Sequence, residues 1–117
     1  MEKFNFVFLI REDGRWEQVL SHADNLLKSP NKVENIAVVA IGTAILSCMK
    51  RTNMKTLKEN ITRLSGENVQ FYLCTNTMQR YGVDEAMLLP EINVAYEGGL
   101  IKTAELDSMG YHLITMG

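Results

Sequence analysis

The chain has 117 residues, 46% of them apolar and 22% charged. That is the size and balance of one soluble domain with a single core, expected to span residues 1–117. A formal charge of −2 argues against a nucleic-acid partner or an anionic membrane held by bulk electrostatics. The longest apolar runs, residues 7–10, 36–41 and 87–89, fall far short of the roughly 20 residues that cross a bilayer.

The first residues read straight into a strand, without the charged-then-apolar-then-small pattern of a signal peptide. The two cysteines, Cys48 and Cys74, are too far apart for a CxxC motif and too few for a four-thiolate metal site. The expectation is a reducing cytosol, free thiols, no metal and no cofactor.

In chain order, residues 4–10 alternate and then turn continuously apolar, as a buried parallel strand does. A polar turn follows. Trp16, Val19, Leu20, Ala23, Leu26 and Leu27 then recur at helical spacing, with His22 and Asn25 bordering the apolar face. Pro30 ends that helix. Residues 36–41 form the clearest buried strand, and it stops at Gly42-Thr43. A helical pattern with Ile45, Cys48 and Met49 on one face is expected next. After a break, Met54, Leu57, Ile61 and Leu64 make a second apolar stripe.

The run Val69-Gln70-Phe71-Tyr72-Leu73 reads as a strand that passes at Cys74 into a helix start. Thr75, Asn76 and Thr77 are residue types that satisfy orphan N–H groups at a helix start. A short turn around Glu85, a strand at 92–96, the turn Glu97-Gly98-Gly99, a helix with Leu100, Ile101 and Ala104, and a last strand at 111–115 complete the chain.

Strand and helix thus alternate, with five strands. The expected fold is α/β: a three-layer α/β/α sandwich on a five-stranded, mainly parallel sheet. A parallel sheet gathers its strand carboxyl ends on one edge. That edge would hold Arg11, Gly42, Thr43, Cys74, Thr75, Asn76, Glu97 and Gly98, where α/β proteins place ligands. Cys74 there has two readings. A helix amino end favours thiolate over thiol, which makes a nucleophile. Free cysteine is also among the most buried residue types, which makes a wall. A redox pair with Cys48 is a third option and requires Cα atoms within about 7 Å.

The segment from Val69 to Met78, with Tyr81-Gly82-Val83, Leu88-Leu89-Pro90, Asn93-Val94-Ala95-Tyr96-Glu97-Gly98 and the closing Leu106 to Ile114, resembles the DsrE/DsrF-like family over nearly the whole chain. The resemblance implies homo-oligomers, trimers or hexamers built from trimers. It also implies kinship with sulfur-relay subunits such as TusD and DsrE, whose cysteine after the third strand carries sulfur as a persulfide. The matching position is Cys74, and a sulfur donor and a sulfur acceptor protein would be its partners. Many relatives carry a histidine just before the glycine of the second strand end, where this chain has Ile41. Two functions follow as expectations. One is handling of sulfane sulfur on Cys74, as a carrier more than a catalytic machine. The other is a non-catalytic oligomeric module that binds a small anion or a partner protein at the strand ends.

Overall fold

The structure, a computed structural model, describes residues 2–116. Its five strands are β1 (Phe4–Ile10), β2 (Val33–Ala40), β3 (Val69–Cys74), β4 (Ile92–Ala95) and β5 (Tyr111–Met116). They form one sheet in the order β4-β3-β2-β1-β5, and every pairing is parallel. The helices are α1 (Trp16–Leu27), α2 (Lys55–Gly66), α3 (Thr75–Tyr81) and α4 (Gly99–Ser108). Short 3-10 turns cover Asp13–Arg15, Gly42–Cys48 and Glu85–Met87. Among the described residues, no helix is long and apolar enough to cross a membrane.

This strand order dictates where the helices lie. From β1 to β4 each strand is laid down beside the last, always in the same direction. Right-handed crossovers then put α1, α2 and α3 on one face. The step from β4 back to β5 runs the other way, so its crossover helix, α4, lies on the opposite face. The side chains agree. Phe8, Ile10, Val38, Phe71 and Leu73 pack with Trp16, Val19, Ile61, Leu64 and Met78 in the larger cluster. Val7, Leu9, Ala37 and Val39 pack with Leu106 of α4 in the smaller one. The three layers are therefore unequal, with a single helix making up the third.

Periodicity selects the buried face of each long helix. In α1, Trp16, Val19, Leu20 and Ala23 are buried, and in α2 it is Leu57, Ile61 and Leu64. Each large apolar side chain so covered contributes roughly 1.5–3 kcal/mol.

Two expectations are corrected. The pattern after Gly42 is a 3-10 turn rather than an α-helix. Its Ala44 carbonyl accepts the Trp16 indole N–H at 2.7 Å, and Trp16 is buried. That carbonyl is the one an α-helix would use to accept the Cys48 N–H. Met54 leaves the α2 stripe: it caps the helix, exposed, and accepts a hydrogen bond from the Ser47 hydroxyl at its Sδ, 3.6 Å away. In α4 the apolar side chains of Leu100 and Ile101 are exposed, while Gly99, Thr103 and Leu106 are buried.

Candidate functional site

The same connectivity marks one place on the sheet edge. β3 and β4 are neighbours, yet β3 continues into α3 on one face and β4 into α4 on the other. The two chain segments diverge from adjacent carboxyl ends and leave a crevice between them, the topological switch point of an open parallel sheet. Cys74 is the last residue of β3 and stands in register with Ala95 of β4. A cavity of about 560 Å³ opens there. Its lining includes Arg11, Ile41, Gly42, Cys74, Asn76 and Thr77. Arg80, Glu97, Gly98, Gly99, Leu100 and Ile101 complete it.

Two glycines make the crevice possible. A Cβ on Gly99 would lie 2.5 Å from Ile41 Cγ2 and 2.9 Å from Cys74 Cβ, so only glycine lets α4 start against the cysteine. Gly42 has φ +59, and a Cβ there would meet the Arg11 carbonyl oxygen at 2.7 Å. The turn after β2 can fold back beside β1 only without a side chain.

Cys74 exposes 6% of its surface, but it belongs to neither hydrophobic cluster and forms a wall of the open cavity. Desolvation is the largest single influence on its thiol and pushes the pKa up. It is outweighed by hydrogen bonds to the sulfur from the Thr77 hydroxyl and from the backbone N–H groups of Gly99, Thr77 and Asn76. The net shift is downward, toward thiolate. Thr77 Oγ1 in turn lies 3.4 Å from the Gly42 N–H, which donates to it. One hydroxyl therefore joins the turn after β2 to the sulfur. Asn76 and Arg80 are four residues apart on α3 and share the cavity face. With Arg11 they give the lining two guanidinium groups against the one carboxylate of Glu97.

Of the residues expected at the edge, Gly42, Cys74, Asn76, Glu97 and Gly98 come together around the cavity, as does Arg11. Thr43 and Thr75 do not line it. Thr43 is exposed and accepts the Asp13 N–H at 3.2 Å; Thr75 is half-buried in the first turn of α3. Sequence reasoning passed over Thr77, Arg80 and Gly99 as site residues. The signals were there: a threonine three residues after Cys74, an arginine four after Asn76, and a second glycine after Gly98.

Neither histidine reaches the site. His22 stacks on Phe8 with ring centroids 6.0 Å apart, and His112 sits against Phe4 and Phe6. Ile41 supplies an apolar wall where many relatives carry histidine. A larger groove of about 650 Å³ lies between α1 and α2, and neither cysteine lines it. Among the described residues, no cluster of three or more His, Cys, Asp or Glu could hold a metal ion.

The DsrE/DsrF-like family model matches residues 6–116. The chain belongs to the DsrE/DsrF-like family. Its fold is similar to that of MTH1491 from Methanobacterium thermoautotrophicum, a protein of unknown function. The TM-score is 0.87 at 25% identity, over 97% of this chain and 100% of that one. It is also similar to the ychN protein from E. coli, with TM-score 0.75 and 11% identity over 97% and 100% of the two chains. BT1422 from Bacteroides thetaiotaomicron, of unknown function, gives TM-score 0.69 and 17% identity over 96% and 95%. No curated protein matches the sequence. As a DsrE-like chain it places its one cavity-lining cysteine where the third strand hands over to a helix.

Proposed function

We propose that this DsrE-like protein handles sulfane sulfur, carrying it as a persulfide on Cys74 in a cytoplasmic sulfur relay. The observation that supports this reading most is the set of donors converging on the Cys74 sulfur, the Thr77 hydroxyl and three backbone N–H groups, which hold the pKa below its ordinary value. A buried wall cysteine requires no such set.

In the proposed chemistry the Cys74 thiolate attacks the outer sulfur of a donor persulfide, R–S–SH. The new Cys74 S–S bond forms as the donor S–S bond breaks. The donor leaves as its thiolate with the bonding electron pair, and the proton stays on the transferred sulfur. The donors that favour the thiolate also favour the persulfide anion once that proton is lost. An acceptor thiolate then attacks the outer sulfur and regenerates the Cys74 thiolate. The thiolate is already the attacking species, so no base is required. That suits a cavity whose wall at Ile41 is apolar.

The partners in this reading are a donor and an acceptor protein, together with further copies of the chain in a trimer or hexamer. Exposed Leu100 and Ile101 at the cavity rim supply apolar surface for such a contact. A non-catalytic module binding a small anion is the second reading, favoured by the two guanidinium groups of Arg11 and Arg80 in the lining.

Incubation with a low-molecular-weight persulfide followed by intact mass spectrometry separates the two. The relay reading expects a gain of one sulfur atom, absent in Cys74→Ala and removed by a second thiol. A chain that gains no sulfur while thiol reagents still reach Cys74 contradicts it.

A further inference from the structure

The two edges of the sheet are protected very differently. The β4 edge is four residues long, and turns occupy both of its ends. The Ile92 N–H donates to the Leu89 carbonyl at 3.0 Å, and the Ala95 carbonyl accepts the Gly98 N–H at 3.0 Å. The β5 edge is six residues long and regular, in unbroken register with β1 from Asn5↔Tyr111 to Ile10↔Met116. Proteins usually blunt such an edge with lysine, proline, a bulge or an inward charge. Residues 111–116 contain no proline, glycine, lysine, arginine or carboxylate. Both sheet faces are open there, with Leu113 44% and Ile114 36% exposed.

The parity of the free groups follows from one bond. The Met116 carbonyl accepts the Arg11 N–H at 3.2 Å, so Met116 turns its main-chain groups toward β1. His112 and Ile114 do the same, because parity alternates along a strand. Tyr111, Leu113 and Thr115 therefore turn their N–H and C=O groups outward, where no other described strand pairs with them.

We infer that β5 is a self-pairing edge: two copies of this chain join β5 to β5, antiparallel about a two-fold axis through Leu113, into one ten-stranded sheet. A two-fold axis normal to the sheet keeps each face continuous, so only residues of like parity can oppose one another. Centring on Leu113 sets Tyr111 opposite Thr115 of the second copy and closes the outward main-chain groups into hydrogen-bonded pairs. The strand carries no like charges to repel its copy. On one face the exposed Leu113 side chains meet each other across the axis; on the other, Ile114 stands opposite His112 of the second copy. This contact goes beyond the sulfur-relay reading and does not depend on Cys74. It doubles whatever assembly it joins and is absent from a bare trimer.

Two variants and a mass measurement test it. In a Cys74→Ser background, Leu113→Cys places the thiol on the axis. Hydrogen-bonded antiparallel partners have Cα atoms about 5.5 Å apart, within the span of a disulfide. Mild oxidation is then expected to give a covalent dimer in near-quantitative yield, while Gln18→Cys on α1 gives none. Thr115→Pro removes an outward N–H and leaves the β1 ladder intact. It is expected to halve the mass found by light scattering, with an unchanged circular dichroism spectrum.

A wild-type monomer overturns the inference and the oligomer of the previous section together. A bare trimer without cross-linking at position 113 overturns this inference alone. A covalent dimer from an even-numbered assembly supports it.

Discussion

Two cysteines lie near the same edge of one sheet, and the molecule treats them in opposite ways. Cys48 ends the 3-10 turn after β2 and is fully buried. Desolvation first, and the Asp13 carboxylate second, push its thiol far up. Cys74 ends β3 and faces the cavity. Desolvation raises it too, but four hydrogen-bond donors more than reverse the effect. Burial alone does not decide what a thiol becomes; the partners aimed at the sulfur do. The difference traces to topology. The turn after β2 folds back over the core, while the ends of β3 and β4 part to opposite faces and leave room for a ligand.

The largest effect expected is in native-state alkylation. Cys48 is reached only through unfolding, so its labelling should trail that of Cys74 by at least about 10³-fold, the lower end of folding equilibrium constants. Denaturant should make the two equal. Comparable rates in the folded protein would erase the contrast.

Closing the crevice comes next. Gly99→Val forces a Cβ against Ile41 and Cys74, at a cost of roughly 1–3 kcal/mol for overpacking. Chemical denaturation should show that loss, and Cys74 labelling should fall while Cys48 stays protected.

A smaller effect is expected from the hydroxyl. Thr77→Val removes the side-chain donor to Cys74, so the labelling pKa should rise and the rate at neutral pH fall by roughly tenfold, the worth of one hydrogen bond to a charged group. Thr77→Ser should restore both. A threonine that only packs would make serine no better than valine.

The smallest effect is on stability. Cys48 has a folded pKa above its unfolded value, so it leaves stability untouched below about pH 8.5. Above that the unfolded chain ionises and the folded one does not, and stability declines by at most about 1.4 kcal/mol per pH unit. Cys48→Ala should flatten that alkaline decline in pH-dependent unfolding. Cys74, with its depressed pKa, acts in the reverse sense: its contribution is full above the unfolded value and is lost as pH falls through the folded one. Cys74→Ala should therefore remove a rise in stability just below about pH 8.5 and leave the alkaline decline above it unchanged.

Much of the fold was legible because its signals are local. The 4–10 run gave β1, the spacing of Trp16, Val19, Leu20 and Ala23 gave α1, and the passage from Leu73 through Cys74 to Thr75 gave the strand-to-helix junction. Strand order was not legible. No residue pattern states that β5 returns beside β1, and that return is what sends α4 to the other face and opens the crevice at Cys74 rather than at Gly42. The 3-10 turn was missed because Ile45 and Cys48, three apart, suit either helix. What decided it was Trp16, 28 residues from Ala44 in sequence. The face that α4 buries was not legible either: Leu100 and Ile101 are apolar yet exposed, because Gly99 is the residue pressed on Cys74.

The proposed chemistry rests on the Cys74 thiol ionising more readily in the folded protein than a free cysteine does. Iodoacetamide labelling against pH in Cys48→Ala protein, which leaves one thiol, measures that directly. Half-maximal reactivity clearly below the ordinary value of about 8.5 is the result expected. Reactivity that half-saturates at or above that value, or a folded protein that does not label until unfolded, would contradict it.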